Sequence, residues 1–230
     1  MIAPFASAEM FGPIAGQVYG KGTGPLVIVT HGDSKAGYIA NFVATLAQNA
    51  PTATVIHMAR PGYSLPSGER SKGSLRSKRN HHTRRNNLLL ADGIKAAAQT
   101  FPHSRLIAVG HSGGGNQIGV IIGRAPGLID TAVMIGTPYF VKRWRQMRGS
   151  PWPQSESPAD FLKSVPRSTR IIAATGASDS NTVPALARDY VAKAKERGLD
   201  ATFIKIPGAG HGWRTLNTPA LKLVMTEIFR

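Results

Sequence analysis

The sequence predicts an α/β protein with a doubly wound, mainly parallel sheet, and three observations carry that prediction. Short runs dense in apolar and β-branched residues alternate along the chain with helical stretches of roughly ten to fifteen residues, the pattern of β-α-β crossovers. The runs read as buried strands bounded by polar turns, as in a sheet covered on both faces. The chain has 230 residues, 42% of them hydrophobic, enough for one sizeable core and short for two domains. It shows no internal repeat and no low-complexity tract.

The elements follow in order. Pro25 closes a glycine-rich turn, and "LVIVT" (Leu26 to Thr30) follows as a strand that ends at "HGD". From about Tyr38 to Asn49, Ile39, Phe42, Val43 and Leu46 recur at helical spacing, and Pro51 marks the stop. "ATVIHMA" (Ala53 to Ala59) is the next strand and "RPGYSLPSG" its turn-rich exit. "NNLLLADGIKAAAQTF" (Asn86 to Phe101) is a helix that stops before Pro102. "RLIAVG" reads as strand, "GGNQIGVIIGRA" as helix and "TAVMIGT" as strand. After these come "TRIIAATG", the helix "PALARDYVAKAKERG", the strand "ATFIKIPG" and a closing helix "TPALKLVMTEIF". One region breaks the rhythm: Tyr139 to Ser168 holds four prolines and two tryptophans, too long for an ordinary connection, and reads as an insertion above the sheet.

Composition narrows the chemistry. The chain contains no cysteine, which excludes a thiol nucleophile, disulfides and cysteine-based zinc sites. Lys plus Arg number 28 against 12 Asp plus Glu, a formal net charge of +16 that predicts attraction to anions. The excess gathers between Ser67 and Asn87, where Arg70, Lys72, Arg76, Lys78, Arg79, Arg84 and Arg85 face the single acid Glu69, and again at Lys142, Arg143, Arg145 and Arg148. A charge run of this kind is read first as a solvated, mobile face and second as a site for an anionic partner. No run approaches the roughly 18 apolar residues that cross a bilayer, so a soluble protein is expected. Ala6-Ser7-Ala8 has the small-residue spacing of a signal cleavage site without the regions that should precede it; it is read as an ordinary flexible terminus, with a remnant of an export signal as the alternative.

In open parallel sheets ligands bind outside the carboxyl ends of the strands, so residues just after each strand are the candidates for chemistry. Gly110-His111-Ser112-Gly113-Gly114 fits G-x-S-x-G at a strand-to-helix junction. Small residues there allow a turn sharp enough to strain the serine, and the helix start behind it offers unpaired N–H groups to an oxyanion. Read otherwise, Ser112 is only a small residue in a tight turn. A serine hydroxyl needs a base, normally a histidine oriented by a carboxylate. His211, in the loop "GAGHGW" after the last strand, is the best placed of seven histidines. His31 beside Gly32 suits loop bracing better, and His111 should point away from the serine it precedes. Asp179 in "GASDSNTVP" follows the penultimate strand, although an Asx-turn or helix cap would also account for it. Adjacent His81 and His82 do not match helical metal-ligand spacing, and neither a metal nor an organic cofactor is called for. The order Ser112, Asp179, His211 is the triad order of one fold class.

These motifs together resemble the α/β-hydrolase superfamily: His31-Gly32, "RPGYS" at Arg60 to Ser64, the elbow at Ser112, "GxxD" at Gly176 to Asp179 and "GHG" at Gly210 to Gly212. The likeness runs from about Leu26 to Phe229. By that resemblance Ser112 attacks an acyl carbonyl, His211 is general base and then general acid, and Asp179 fixes the imidazole. The oxyanion hole would be the backbone N–H of Gly113 with one from Asp33, and His31, Ser34, His111, Tyr139, Phe140 and Trp213 are expected around the substrate pocket. The whole chain, 1–230, then reads as one domain of this fold, with a cap or insertion at about 139–168 and a basic loop at about 67–87.

Two departures stand out. Asp33 puts a charge after HG; turned outward it would cap a helix, turned inward it should oppose the developing oxyanion. The short N-terminus leaves little chain for the antiparallel strands that usually begin this sheet, so about six to eight strands are expected with a reduced early edge. The insertion's aromatics, Tyr139, Phe140, Trp144, Trp152 and Phe161, would either line a hydrophobic site or pack the insertion down. The function expected first is hydrolysis of small or medium carboxylic esters through an acyl-enzyme. The second is a peptidase or acyl-peptide hydrolase, since Gly176 to Trp213 also resembles prolyl-oligopeptidase-like and dienelactone-hydrolase-like enzymes; a serine in place of cysteine argues against the dienelactone role. The third is an anion- or nucleic-acid-binding protein on the same scaffold, for which the basic loop shows no recognised motif.

Overall fold

The computed structural model describes residues 7–75 and 81–230. The chain runs β1 (Ser7–Phe11), β2 (Ile14–Tyr19), β3 (Leu26–Thr30), α1 (Ala40–Asn49), β4 (Thr54–Met58), α2 (Arg84–Thr100) and β5 (Leu106–His111). It continues as α3 (Gly113–Arg124), β6 (Thr131–Ile135), α4 (Val141–Gln146), β7 (Arg170–Gly176), α5 (Pro184–Glu196), β8 (Ala201–Ile206) and α6 (Trp213–Ile228). The eight strands form one open sheet in the order β1-β2-β4-β3-β5-β6-β7-β8. From β4 across to β8 every pairing is parallel, and the β1-β2 hairpin joins β4 antiparallel.

Successive strand residues face opposite sides, so each buried strand feeds two cores. Leu26, Ile28, Leu106 and Ala108 pack with Ile94, Ile118, Ile121 and Tyr190 from α2, α3 and α5. Val27, Val29, Ile107 and Val109 pack with Phe42, Leu46, Leu216 and Val224 from α1 and α6. Burial on both faces is why these runs carry no polar alternation.

Two expectations change. The early edge is not reduced: Gly12 at φ 55° turns the chain between β1 and β2, and β2 pairs with β4 through Gly16–Tyr19. Gly16 leaves room for the Phe11 ring, whose Cε2 would lie 2.6 Å from any Cβ there. The closing helix starts at Trp213 and carries Pro219 in its interior, so the proline costs one helical hydrogen bond and does not mark the first turn. The region 139–168 contains α4 and a 3-10 helix at Pro158–Ser164 that packs against α3. Of the basic loop, Arg76, Lys78 and Arg79 lie outside the described residues, as does Ala6. Arg70, Lys72, Arg84 and Arg85 are exposed, while His81 and His82 are buried. Among the described residues no helix is long and apolar enough to cross a membrane.

Candidate active site

The sharp end of β5 sets the site. Ser112 has φ 52° and ψ −115°, and it is the only non-glycine residue with positive φ among the described residues. Such a conformation costs on the order of 1–3 kcal/mol and persists only where neighbours over-determine it. The neighbours here are backbone. A Cβ on Gly110 would meet the Gly114 carbonyl carbon at 2.5 Å, and one on Gly114 would meet the His31 carbonyl oxygen at 2.5 Å. The Ser112 N–H donates to Ile135 O at 2.8 Å, and Asn116 N–H donates to Ser112 O at 3.0 Å. The turn therefore projects Ser112 Oγ above the sheet as α3 begins.

The loops after β7 and β8 meet it there. Ser112 Oγ lies 3.1 Å from His211 Nε2, and His211 Nδ1 lies 2.9 Å from Asp179 Oδ2. The carboxylate can only accept, so Nδ1 carries the proton and Nε2 is left to accept from the serine hydroxyl, a tautomer inferred from the partners. Asp179 is itself held: its Oδ1 accepts from the N–H groups of Asn181 and Thr182 at 2.8 Å, and its Oδ2 accepts from Thr182 Oγ1 at 2.8 Å. Burial works to raise its pKa, but the His211 and Thr182 hydrogen bonds outweigh that and leave it below the usual carboxylate range.

His111 does not turn away from the site. Its Nε2 lies 3.1 Å from the His211 carbonyl oxygen, and its Nδ1 lies 2.6 Å from Tyr38 Oη, which accepts the Gly32 N–H at 2.6 Å. Burial, helped by the neighbouring His211, pushes its pKa down to about 3, so the ring is neutral and donates through Nε2. The residue thus ties the loop after β3 to the loop after β8.

Asp33 faces inward and is not a helix cap. Its Oδ1 accepts from Arg60 Nη1 at 2.6 Å and lies 3.4 Å from His82 Nε2. Arg60 is 1% exposed. It donates its backbone N–H to His31 Nε2 at 3.0 Å and its Nε–H to Gln117 Oε1 of α3 at 2.6 Å. Burial works to raise the Asp33 pKa, yet the Arg60 guanidinium and His82 hold it well below the usual range. The charge that should oppose an oxyanion is therefore compensated by a guanidinium. Asp33, the guanidinium and His82 all crowd Gly113: a Cβ there would strike Asp33 Oδ1 and lie 2.6 Å from Arg60 Nη1 and 2.8 Å from His82 Nε2.

Above Ser112 and His211 opens a cavity of about 550 Å3 lined by Gly32, Asp33, Ser34, Tyr38, His111, Trp144, Asn181, Trp213 and Arg214. Ser34, His111 and Trp213 stand where the pocket was expected. His31, Tyr139 and Phe140 do not. His31 is fully buried, its Nδ1 2.8 Å from Gly32 O, and braces the loop through Arg60. Tyr139 is fully buried with its hydroxyl donating to Met134 O at 3.0 Å and its ring stacked on Tyr190 at 4.5 Å. Phe140 packs on the core beside it. The reason is rotation at the end of β6: Gly136 at φ 54° turns the chain, and the next aromatic to reach the cavity is Trp144 on α4. Trp144 is held by its Nε1–H on Asn181 O at 3.0 Å and by Trp152 at 5.1 Å. Tyr38, Asn181 and Arg214 carry no motif of their own; Trp144 is one of the insertion aromatics for which a place at a hydrophobic site was one of two expectations. Among the described residues no group of three or more His, Asp or Glu side chains could hold a metal ion.

Known structures share this architecture. The acylaminoacyl peptidase of Pyrococcus horikoshii superposes with a TM-score of 0.77 at 13% identity, over 100% of this chain and 42% of that one. An esterase of Pyrococcus furiosus gives 0.73 at 12% identity over 97% and 90% of the two chains. A thermophilic esterase of the planctomycete Thermogutta terrifontis gives 0.70 at 13% identity over 98% and 91%. No curated relative matches the chain in sequence. The open, mostly parallel sheet and these likenesses define the α/β-hydrolase fold. Within that class, the chain belongs to the prolyl oligopeptidase family, whose sequence profile matches residues 88–226, and it is a serine hydrolase.

Proposed function

We propose that the protein hydrolyses carboxylic esters through an acyl-enzyme on Ser112. The observation that carries this is the unbroken hydrogen-bonded line from Ser112 Oγ through His211 to Asp179 at the floor of an aromatic cavity. His211 takes the serine proton as Oγ attacks the carbonyl carbon, then gives it to the leaving oxygen; water repeats the sequence to free the acid. Asp179 holds the imidazole in the tautomer that can accept. The N–H groups of Gly113 and Asp33 receive the oxyanion, and the Arg60–Asp33 pair keeps that region from carrying net negative charge. In this reading 139–168 is a cap on a single hydrolase domain, and it contributes Trp144 to the pocket.

The family match and the likeness to an acylaminoacyl peptidase favour a second reading, cleavage of an acyl-peptide bond at the same site. Parallel assays of short and medium chain p-nitrophenyl esters and of N-acyl peptides separate the two. Ser112→Ala is expected to lose on the order of 10⁴–10⁶ in kcat on whichever class is cleaved. Equal turnover by the wild type and the folded variant excludes Ser112 as the nucleophile.

A further inference from the structure

Arg214 is an exposed cation at the second position of α6. It lines the cavity above Ser112 and makes no hydrogen bond or ion pair with any described residue. Among the described residues that line the cavity or underlie it, every other charge is accounted for. Asp33 is paired with the buried Arg60, Asp179 lies fully buried under His211, and His111 is neutral. The walls between are aromatic, from Tyr38, Trp144 and Trp213, with Asn181 among them. Among the described residues the cavity therefore presents an apolar, ring-lined body and one unmatched positive charge at its rim, with no free carboxylate that could meet a substrate ammonium.

The position of that charge says which part of a substrate it meets. His211 delivers its proton to the leaving group, and Gly212, Trp213 and Arg214 follow it directly along the chain and line the same cavity. We infer that the substrates are esters or amides whose leaving portion carries a carboxylate or another anion, such as an ester of an aromatic hydroxy acid, with the anion on Arg214. This rests on the Ser112 hydrolase reading. In the reaction the acyl C–O bond breaks as the Oγ–C bond forms, the His211 proton goes to the departing oxygen, and the hydroxy acid leaves with its anion intact. Water then splits the acyl-enzyme to the free carboxylic acid. The formal net charge of +16 favours the approach of such substrates over neutral ones.

The test compares 3-(butyryloxy)benzoate with 3-(butyryloxy)benzamide, each rate normalised to its hydroxide-catalysed hydrolysis. The readout is the ratio of kcat/KM for the charged over the neutral ester in the wild type, Arg214→Gln and Arg214→Glu. An ion-paired hydrogen bond at a half-open rim supports a wild-type preference of about tenfold for the benzoate. That ratio is expected to drop towards one in Arg214→Gln, to invert in Arg214→Glu and to shrink in the wild type as salt is raised. Arg214→Glu is expected to fold, because the residue is exposed and an acid in the first turn suits the helix dipole. A ratio that is the same in all three proteins overturns the assignment while the hydrolase reading stands. No cleavage of either ester by a wild type that turns over p-nitrophenyl esters or N-acyl peptides overturns the assignment alone; no cleavage of any of these substrates, or undiminished cleavage by Ser112→Ala, overturns the hydrolase reading and the assignment with it.

Discussion

The left-handed backbone of Ser112 exists because no side chain competes for the space behind it. Gly110, whose Cβ would strike the backbone of Gly114 and Gly115, has nowhere to relax, since both of those atoms belong to the first turn of α3. Gly110→Ala is expected to cost about 1–3 kcal/mol of stability in chemical denaturation and to lower kcat by moving the serine. The buried Arg60 makes a different demand. Removing it in Arg60→Met leaves the Asp33 carboxylate, a quarter exposed beside Gly113, with only His82 at 3.4 Å, a loss of about 1–3 kcal/mol. Adding Asp33→Asn to that variant should restore part of the stability, which urea titration of the single and double variants would measure.

At the scale of the element, α3 carries a glycine face where helix propensity alone would prefer alanine. In an exposed helix Gly→Ala gains about 1 kcal/mol. Here a Cβ on Gly119 would lie 2.8 Å from Met134 Sδ and Pro158 Cβ, and one on Gly123 would lie 2.5 Å from Phe161 O. The glycines let the 3-10 helix Pro158–Ser164 sit directly on α3, and Arg124 closes the contact over the Phe161 ring at 4.4 Å and through its ion pair with Glu156. Gly123→Ala should therefore lower the melting temperature despite its better propensity; a higher melting temperature would mean that this segment is free to move off α3.

Across the whole molecule, buried neutral histidines set the response to acid. Burial lowers His57, which has no partner on either ring nitrogen, to about 4, and His111 to about 3; His31 and His82 are lowered as well. In the unfolded chain each would titrate near ~6.5. Below that pH the unfolded state binds more protons than the folded one, so stability rises with pH and falls on acidification. Each such histidine adds a slope of about 1.4 kcal/mol per pH unit between its two pKa values. The protein is expected to lose stability steeply between about pH 6 and 4. His57→Leu, which also removes two unsatisfied buried nitrogens, should flatten that slope and help more at pH 5 than at pH 7; urea unfolding at the two pH values decides it.

How far each level was legible in the sequence follows from where its determinants sit. The parallel strands β3 to β8 could be read because burial on two faces demands an unbroken apolar run such as "LVIVT". The β1-β2 hairpin could not, because "SAEMF" and "IAGQVY" are poor strand patterns whose burial comes from pairing with β4 and from the Phe11 ring filling the space over Gly16. Ser112, Asp179 and His211 were each marked by a position just past a strand, and that signal is local. What brings their atoms within 3.1 Å of one another is the register of β5, β7 and β8 in one sheet.

The rest of the pocket lining, beyond Ser34, His111 and Trp213, and the Arg60–Asp33 pair belong to the folded chain. Tyr38, His82 and Arg214 stand in separate segments without shared spacing, and the ion pair of Arg60, though its motif is visible in the sequence, arises only from what the sheet sets beside it. The sequence by itself determined the layered α/β architecture and the strand-end residues available for chemistry, since periodicity and backbone turns act over a few residues. The tertiary structure alone decided which charges cancel, which rings face the cavity and which cation is left over, because contact and desolvation depend on distance in space and not on distance along the chain.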